Sequence, residues 1–143
     1  MKGRFRPKNP HKYRGNPTNI IYRSSYELKL FRYLDIHPSI EWWQSEEVII
    51  PYRSPITGRV HRYFPDFYIK FVNDKGQSIR EIIEVKPKNQ TMRESVGKSR
   101  FNQEQYIKNM AKWEAAGAWC KQKRVRFRIV NEEDIFHTGN KRR

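Results

Sequence analysis

The chain has 143 residues and carries 30 Lys and Arg against 15 Asp and Glu, a formal charge of +15. That length suits one domain with a core that needs no staples, and the single Cys120 excludes an internal disulfide framework or a zinc-finger site. No apolar run approaches membrane length and no hydrophobic leader opens the chain, so the expectation is a soluble intracellular protein whose partner is a polyanion, nucleic acid above all.

Residues 1–18 hold Pro7, Pro10, Pro17, Gly3 and Gly15 among cations without apolar periodicity, which predicts an irregular basic N-terminal arm. Up to residue 26 there are seven Lys or Arg and no acid. Arg4, Arg6, Lys8, Lys12, Arg14 and Arg23 are therefore candidate phosphate contacts, Arg being suited to bidentate ones. Ser24 has the character of a helix N-cap. In the segment that follows, Glu27, Leu30, Phe31 and Leu34 share one face, and the helix should stop before Pro38, with His37 as a cap. Ile40 to Tyr52 is aromatic and β-branched and predicts a strand or strand pair. Arg59 to Phe71 predicts another strand, which makes 47–71 a hairpin. Of the adjacent Trp42 and Trp43, at least one must face the core. Ser78 to Lys86 is a third strand, closed by Pro87. The spacing of Tyr106, Met110 and Trp113 predicts an amphipathic helix over about 101–120, and Arg124 to Val130 a last strand. The predicted class is α/β, a central mixed β-sheet flanked by helices in the order αβββαβ, over residues 19–136, with a basic tail at 137–143.

Chemistry concentrates at two places. Along the third strand Ile82, Glu84 and Lys86 project to one side and Glu81, Ile83 and Val85 to the other. Both faces carry apolar residues, as in an interior strand, where charge is costly unless paired or metal-bound. In the second strand Pro65-Asp66 interrupts an aromatic run, although Asp is a poor strand former and Pro lacks a donor. The eighteen-position separation of Asp66 and Glu84 allows antiparallel pairing around the Gly76 turn, which brings the carboxylates together. Two such groups repel unless a divalent cation neutralises them, and oxygen ligands suit Mg2+ or Mn2+. Lys86 on the same face could then orient a water and offset charge on a phosphate. Arg62 and His61 flank the site, and Lys88 continues the Lys-Pro-Lys run toward a DNA backbone.

Pro65-Asp66 followed by Glu84-Val85-Lys86 resembles the PD-(D/E)XK nuclease signature, which implies a metal-dependent DNA nuclease with Asp66, Glu84 and Lys86 at its centre. In several branches a Glu on the preceding helix is a further metal ligand. Glu27 matches by position, although Ser24-x-x-Glu27 is also a capping box. A wider likeness covers Pro7-Lys8-Asn9, Lys12-Tyr13-Arg14-Gly15, Tyr22-Arg23-Ser24, Ile50-Pro51-Tyr52, Arg62-Tyr63-Phe64, Glu84-Val85-Lys86-Pro87-Lys88 and Lys123 to Ile129. It is similar to the head completion nucleases of tailed bacteriophages. That resemblance implies cleavage of double-stranded or branched DNA in the host cytoplasm or virion, beside portal or head-neck proteins. The Gln-x-x-x-Tyr of some exonuclease branches is absent, because Asn102 stands four before Tyr106. Two other readings keep the charge and change the role: a non-catalytic DNA plug or scaffold of the virion head, and a junction-resolving nuclease.

Overall fold

The computed structural model describes residues 2–86 and 99–131. Lys88 and the basic tail at 137–143 lie outside the described residues. A four-stranded sheet forms the centre, in the order β3-β6-β7-β8, where β3 is Ile40–Ser45, β6 Phe67–Val72, β7 Ser78–Val85 and β8 Arg126–Val130. The first three pair antiparallel, and β8 lies parallel to β7. A parallel neighbour requires a crossover, which is helix α2, Arg100–Lys123. Helix α1, Ser25–Ile36, precedes the sheet. The αβββαβ order expected from the sequence is therefore the order of the main sheet and its helices.

The two faces of β7 show why it has to be interior. Ile83 packs with Phe31, Leu34, Trp43, Phe67 and Ile69 in the larger core, while Ile82 packs with Cys120 and Val125 on the opposite side. Trp43 is fully buried and Trp42 half-buried, as alternation demands of adjacent strand residues. Arg124 ends α2 in the left-handed conformation, φ 59°, and its N–H donates to the Cys120 and Lys121 carbonyls. That cap starts β8 two residues later than the sequence pattern suggests.

Two expectations need correction. The strand predicted over 59–71 is two strands in different sheets. Val60–Tyr63, β5, pairs only with Ile50–Arg53, β4, in a separate two-stranded ribbon, and β6 then joins the main sheet. The break falls at Phe64-Pro65-Asp66, where the buried Pro65 has no N–H to give a ladder. The N-terminal arm, predicted irregular, lies on the core instead. Gly3–Phe5, β1, pairs with Ile20–Tyr22, β2, and Pro10–Lys12 forms a short 3-10 turn. Phe5 and Tyr13 are buried, their rings 6.1 and 4.7 Å from that of Trp43. Buried Asp35 accepts from the backbone N–H groups of Lys8, at 2.7 Å, and Asn9, at 3.0 Å. Two isolated aromatics among prolines and cations have no period, so hydrophobic patterning could not have found them.

Candidate active site

The β6–β7 register pairs Phe67 with Ile83. Continued by one residue, it sets Asp66 opposite Glu84 at the end of the sheet. Asp66 turns its carboxylate along that end, where Oδ2 accepts the Val85 N–H at 2.7 Å. On its other flank β3 also ends, and the Glu46 N–H donates to the Asp66 carbonyl at 3.2 Å. Glu46 itself has φ 56°, a left-handed conformation uncommon for a side chain with a Cβ. That turn releases Glu46 from the strand just where the sheet runs out.

Helix α1 brings its first turn to the same place. Ser24 Oγ accepts the Glu27 N–H at 3.1 Å, so the cap predicted from Ser24 is present. Glu27 Oε1 in turn accepts the N–H of Arg23, one residue earlier than a capping box would use. The helix-capping and site-lining readings of Glu27 therefore coexist. Among the described residues, Glu27, Glu46 and Asp66 each offer a carboxylate oxygen within 4.8 Å of the others. Glu27 and Asp66 open on a cleft of about 280 Å³ lined also by Arg23, Ser24, Tyr26, Val85 and Lys86. Arg23 holds Glu46 at 2.9 Å.

Glu84 stands outside that trio, on the α2 side of Asp66. Its Oε1 accepts the Tyr63 hydroxyl at 2.7 Å and its Oε2 lies 3.5 Å from Lys86 Nζ. Above Tyr63, the Lys112 ammonium sits 5.6 Å from that ring and 5.9 Å from the ring of Tyr52. Burial pushes the Asp66 carboxyl well above the usual carboxylate range, and the facing Glu84 pushes it further. Glu84 is also raised, again by burial first, although Tyr63 and Lys86 work against the shift. Lys112 is lowered, by burial and then by the neighbouring Lys86 charge. The protein thus gathers four carboxylates with too few cations close enough to neutralise them. All-oxygen donors held this near one another suit a hard divalent cation.

Of the residues predicted for the site, Glu27, Asp66 and Lys86 line one cleft, and Glu84 joins them through Lys86 and the Asp66 register. The predicted phosphate contacts divide. Arg23 lines the cleft; Arg4, Arg6 and Lys8 line a neighbouring one. Lys12 instead ties the arm down, its Nζ donating to the His37 carbonyl at 2.9 Å. Arg14 stacks over Trp42 at 4.6 Å and Arg62 over Phe64 at 5.5 Å. Pattern reading missed Glu46, Tyr63 and Lys112. Glu46 had a signal, being the first residue after an aromatic strand, but only the β3–β6 register makes it a neighbour of Asp66. Tyr63 and Lys112 had none, because they reach Glu84 from a separate ribbon and a helix far along the chain.

Comparison with known proteins places the chain in a family. Residues 37–132 match the family model of the TnsA-like endonuclease N-terminal domain, a span that contains Glu46, Asp66, Glu84, Lys86 and α2. The head completion nuclease of Enterobacteria phage T4 is 37% identical over 148 aligned residues, covering 97% of this chain and 96% of that protein. The similarity extends through the arm and α1 as well as the sheet. The chain belongs to the TnsA-like endonuclease N-terminal family and, over nearly its whole length, to one family with the head completion nuclease of phage T4.

Proposed function

We propose that this protein is a divalent-metal-dependent DNA endonuclease that processes phage DNA during head completion. The observation that carries the reading is the convergence of Glu27, Glu46 and Asp66 oxygens within 4.8 Å, beside a Glu84–Lys86 pair. The +15 charge supplies attraction for the substrate. Glu27, Asp66 and Glu84 would hold Mg2+ or Mn2+, with Glu46 as a further oxygen donor. When bound, such an ion would supply Lewis-acid stabilisation of a phosphate and a lowered pKa for a water.

The chain's own groups do the rest. Lys86, held by Glu84, orients the attacking water by hydrogen bonding and offsets charge that builds on the phosphate oxygens. The water oxygen forms its bond to phosphorus as the bond to one strand end breaks, leaving one phosphate end and one hydroxyl end. Arg23 contacts the phosphate backbone at the mouth of the cleft. Similarity to a named head completion nuclease supports a setting in virion assembly, in the host cytoplasm, where a portal or neck protein would be the protein partner. Among the described residues no helix is long and apolar enough to cross a membrane.

Purified protein with supercoiled plasmid or linear duplex, in magnesium, manganese or EDTA, tests this. Metal-dependent nicking or linearisation of plasmid that disappears in Asp66→Ala and Lys86→Ala, with DNA binding retained, is the expected result. Tight binding without cutting under either metal would instead favour the DNA-plug reading. Cutting confined to four-way junctions would favour the junction-resolving one.

A further inference from the structure

Beside the acidic cleft, between the β1–β2 ribbon and α1, lies a second cleft of about 420 Å³ that the nuclease chemistry does not use. Arg4, Arg6, Lys8 and Arg32 line it, together with Tyr22 and Asp35. Its charge follows from the local fold. Phe5 is buried against Phe31 and Trp43, and a strand alternates, so Arg4 and Arg6 must face outward. Arg32 comes from the exposed side of α1. None of these four side chains makes an ion pair with an acid among the described residues. The one carboxylate present, Asp35, is 1% exposed and already accepts the backbone N–H groups of Lys8 and Asn9. Four cations thus line the cleft against a single carboxylate, on a scaffold whose other face is core.

The two clefts are lined by residues next to one another in the chain. Tyr22 lines one and Arg23 the other; Leu28 lines one and Glu27 the other. Along α1, Arg32 is about 7.5 Å beyond Glu27 and Ile36 about 13.5 Å, at a rise of about 1.5 Å per residue. Across the ribbon, Arg4 pairs with Ile21, which places it about 8 Å from Arg23 by ordinary strand spacing.

We propose that this cleft is a docking track for the sugar–phosphate backbone of DNA, engaging the strand from about two to four nucleotides beyond the scissile phosphate at about 3.4 Å of axial rise each. The proposal rests on the nuclease reading for the position of that phosphate. Its contacts are to phosphate, so it positions the duplex and adds no base preference. It also explains why the basic arm is folded onto the core, since four loosely tethered cations would have to be ordered at each binding event.

The test is DNA binding by fluorescence anisotropy in EDTA, with a labelled duplex and a series of salt concentrations. Arg4→Gln/Arg32→Gln should weaken binding about tenfold or more and make the log affinity–log salt slope shallower by about 2. Arg4→Lys/Arg32→Lys should restore most of the slope. The charge-matched pair Lys75→Gln/Lys121→Gln, on exposed surface elsewhere, should lose less than about threefold. Duplexes trimmed to fewer than about two nucleotides on one side of the mapped cut should bind wild type as weakly as full-length duplex binds the Gln pair. Because Arg4 and Arg32 are exposed, circular dichroism should show the Gln pair folded. Wild-type affinity and slope in a folded Gln pair would remove the track and leave the nuclease intact. Failure of the nuclease reading looks different: wild type then cuts nothing, and the track stands or falls on the binding data alone.

Discussion

Strand β7 carries two buried glutamates, Glu81 and Glu84, 1% and 5% exposed, and the chain treats them in opposite ways. Glu81 faces the α1 side, where Arg126 and Arg128 of β8 clamp its two oxygens at 3.0 and 3.2 Å. Glu84 faces the α2 side. It receives one neutral hydroxyl and one ammonium at 3.5 Å, with Asp66 opposite and raising the local negative charge. A buried carboxylate matched by two guanidiniums is a finished structural unit. One left short of positive charge beside other carboxylates is costly to the protein and marks a candidate binding site. Charge satisfaction, rather than burial, separates the two.

That contrast can be broken from either end. The largest effect should follow from emptying the unsatisfied cluster: Asp66→Ala or Lys86→Ala should reduce plasmid cleavage by at least about 10²–10³-fold with DNA binding preserved in gel shifts. Equal loss of binding would mean that the cluster only holds the fold. Glu81→Ala should do the reverse. It should cost about 2–3 kcal/mol in denaturant unfolding, since two half-exposed arginines lose their anchor but can be solvated, while the metal concentration for half-maximal cleavage stays put. Tyr63→Phe removes a single hydrogen bond to Glu84 and should lower kcat about 10–100-fold, as loss of outer-shell support does, with a weaker response to metal. A change in thermal stability alone would make Tyr63 merely structural.

The smallest effect is a gain. Burial raises the Asp66 carboxyl above its ordinary range, so the folded chain holds that proton more tightly than the unfolded one. The resulting stability is present below the ordinary carboxylate pKa and is lost as pH rises through the raised value. Without metal, Asp66→Asn should therefore raise Tm by about 2–4 °C near pH 8 and change it little below about pH 4. A thermal scan across pH checks the sign: a lower Tm at pH 8 would mean that Asp66 is already balanced.

Much of the site could be read from the chain alone. Pro65-Asp66 violates strand preference inside an aromatic run, and Glu84-Val85-Lys86 follows the apolar pair Ile82-Ile83 with two charges on one face of an interior strand. Both conflicts are local, so a single sequence displays them. The αβββαβ order was legible for the same reason, through Ser24, Pro38 and the period of α1. The ribbon β4–β5 was not, because a strand's residues look alike whichever sheet they join, and only Pro65 hints at the division. The seating of the arm was equally hidden, since Phe5 and Tyr13 declare themselves only against Trp43.

The sequence by itself determined the charge, the two helices, the interior character of β7 and the identity of Asp66, Glu84 and Lys86 as the residues that break local rules. Tertiary structure alone decided which carboxylates meet. Glu46 and Glu27 reach Asp66 through the β3–β6 register and the docking of α1, Tyr63 meets Glu84 from a separate ribbon, and Lys112 comes over the Tyr63 ring from α2. Propensity and period act over a few neighbouring residues, whereas a cluster is assembled from segments tens of residues apart, held where they are by burial of the side chains between them.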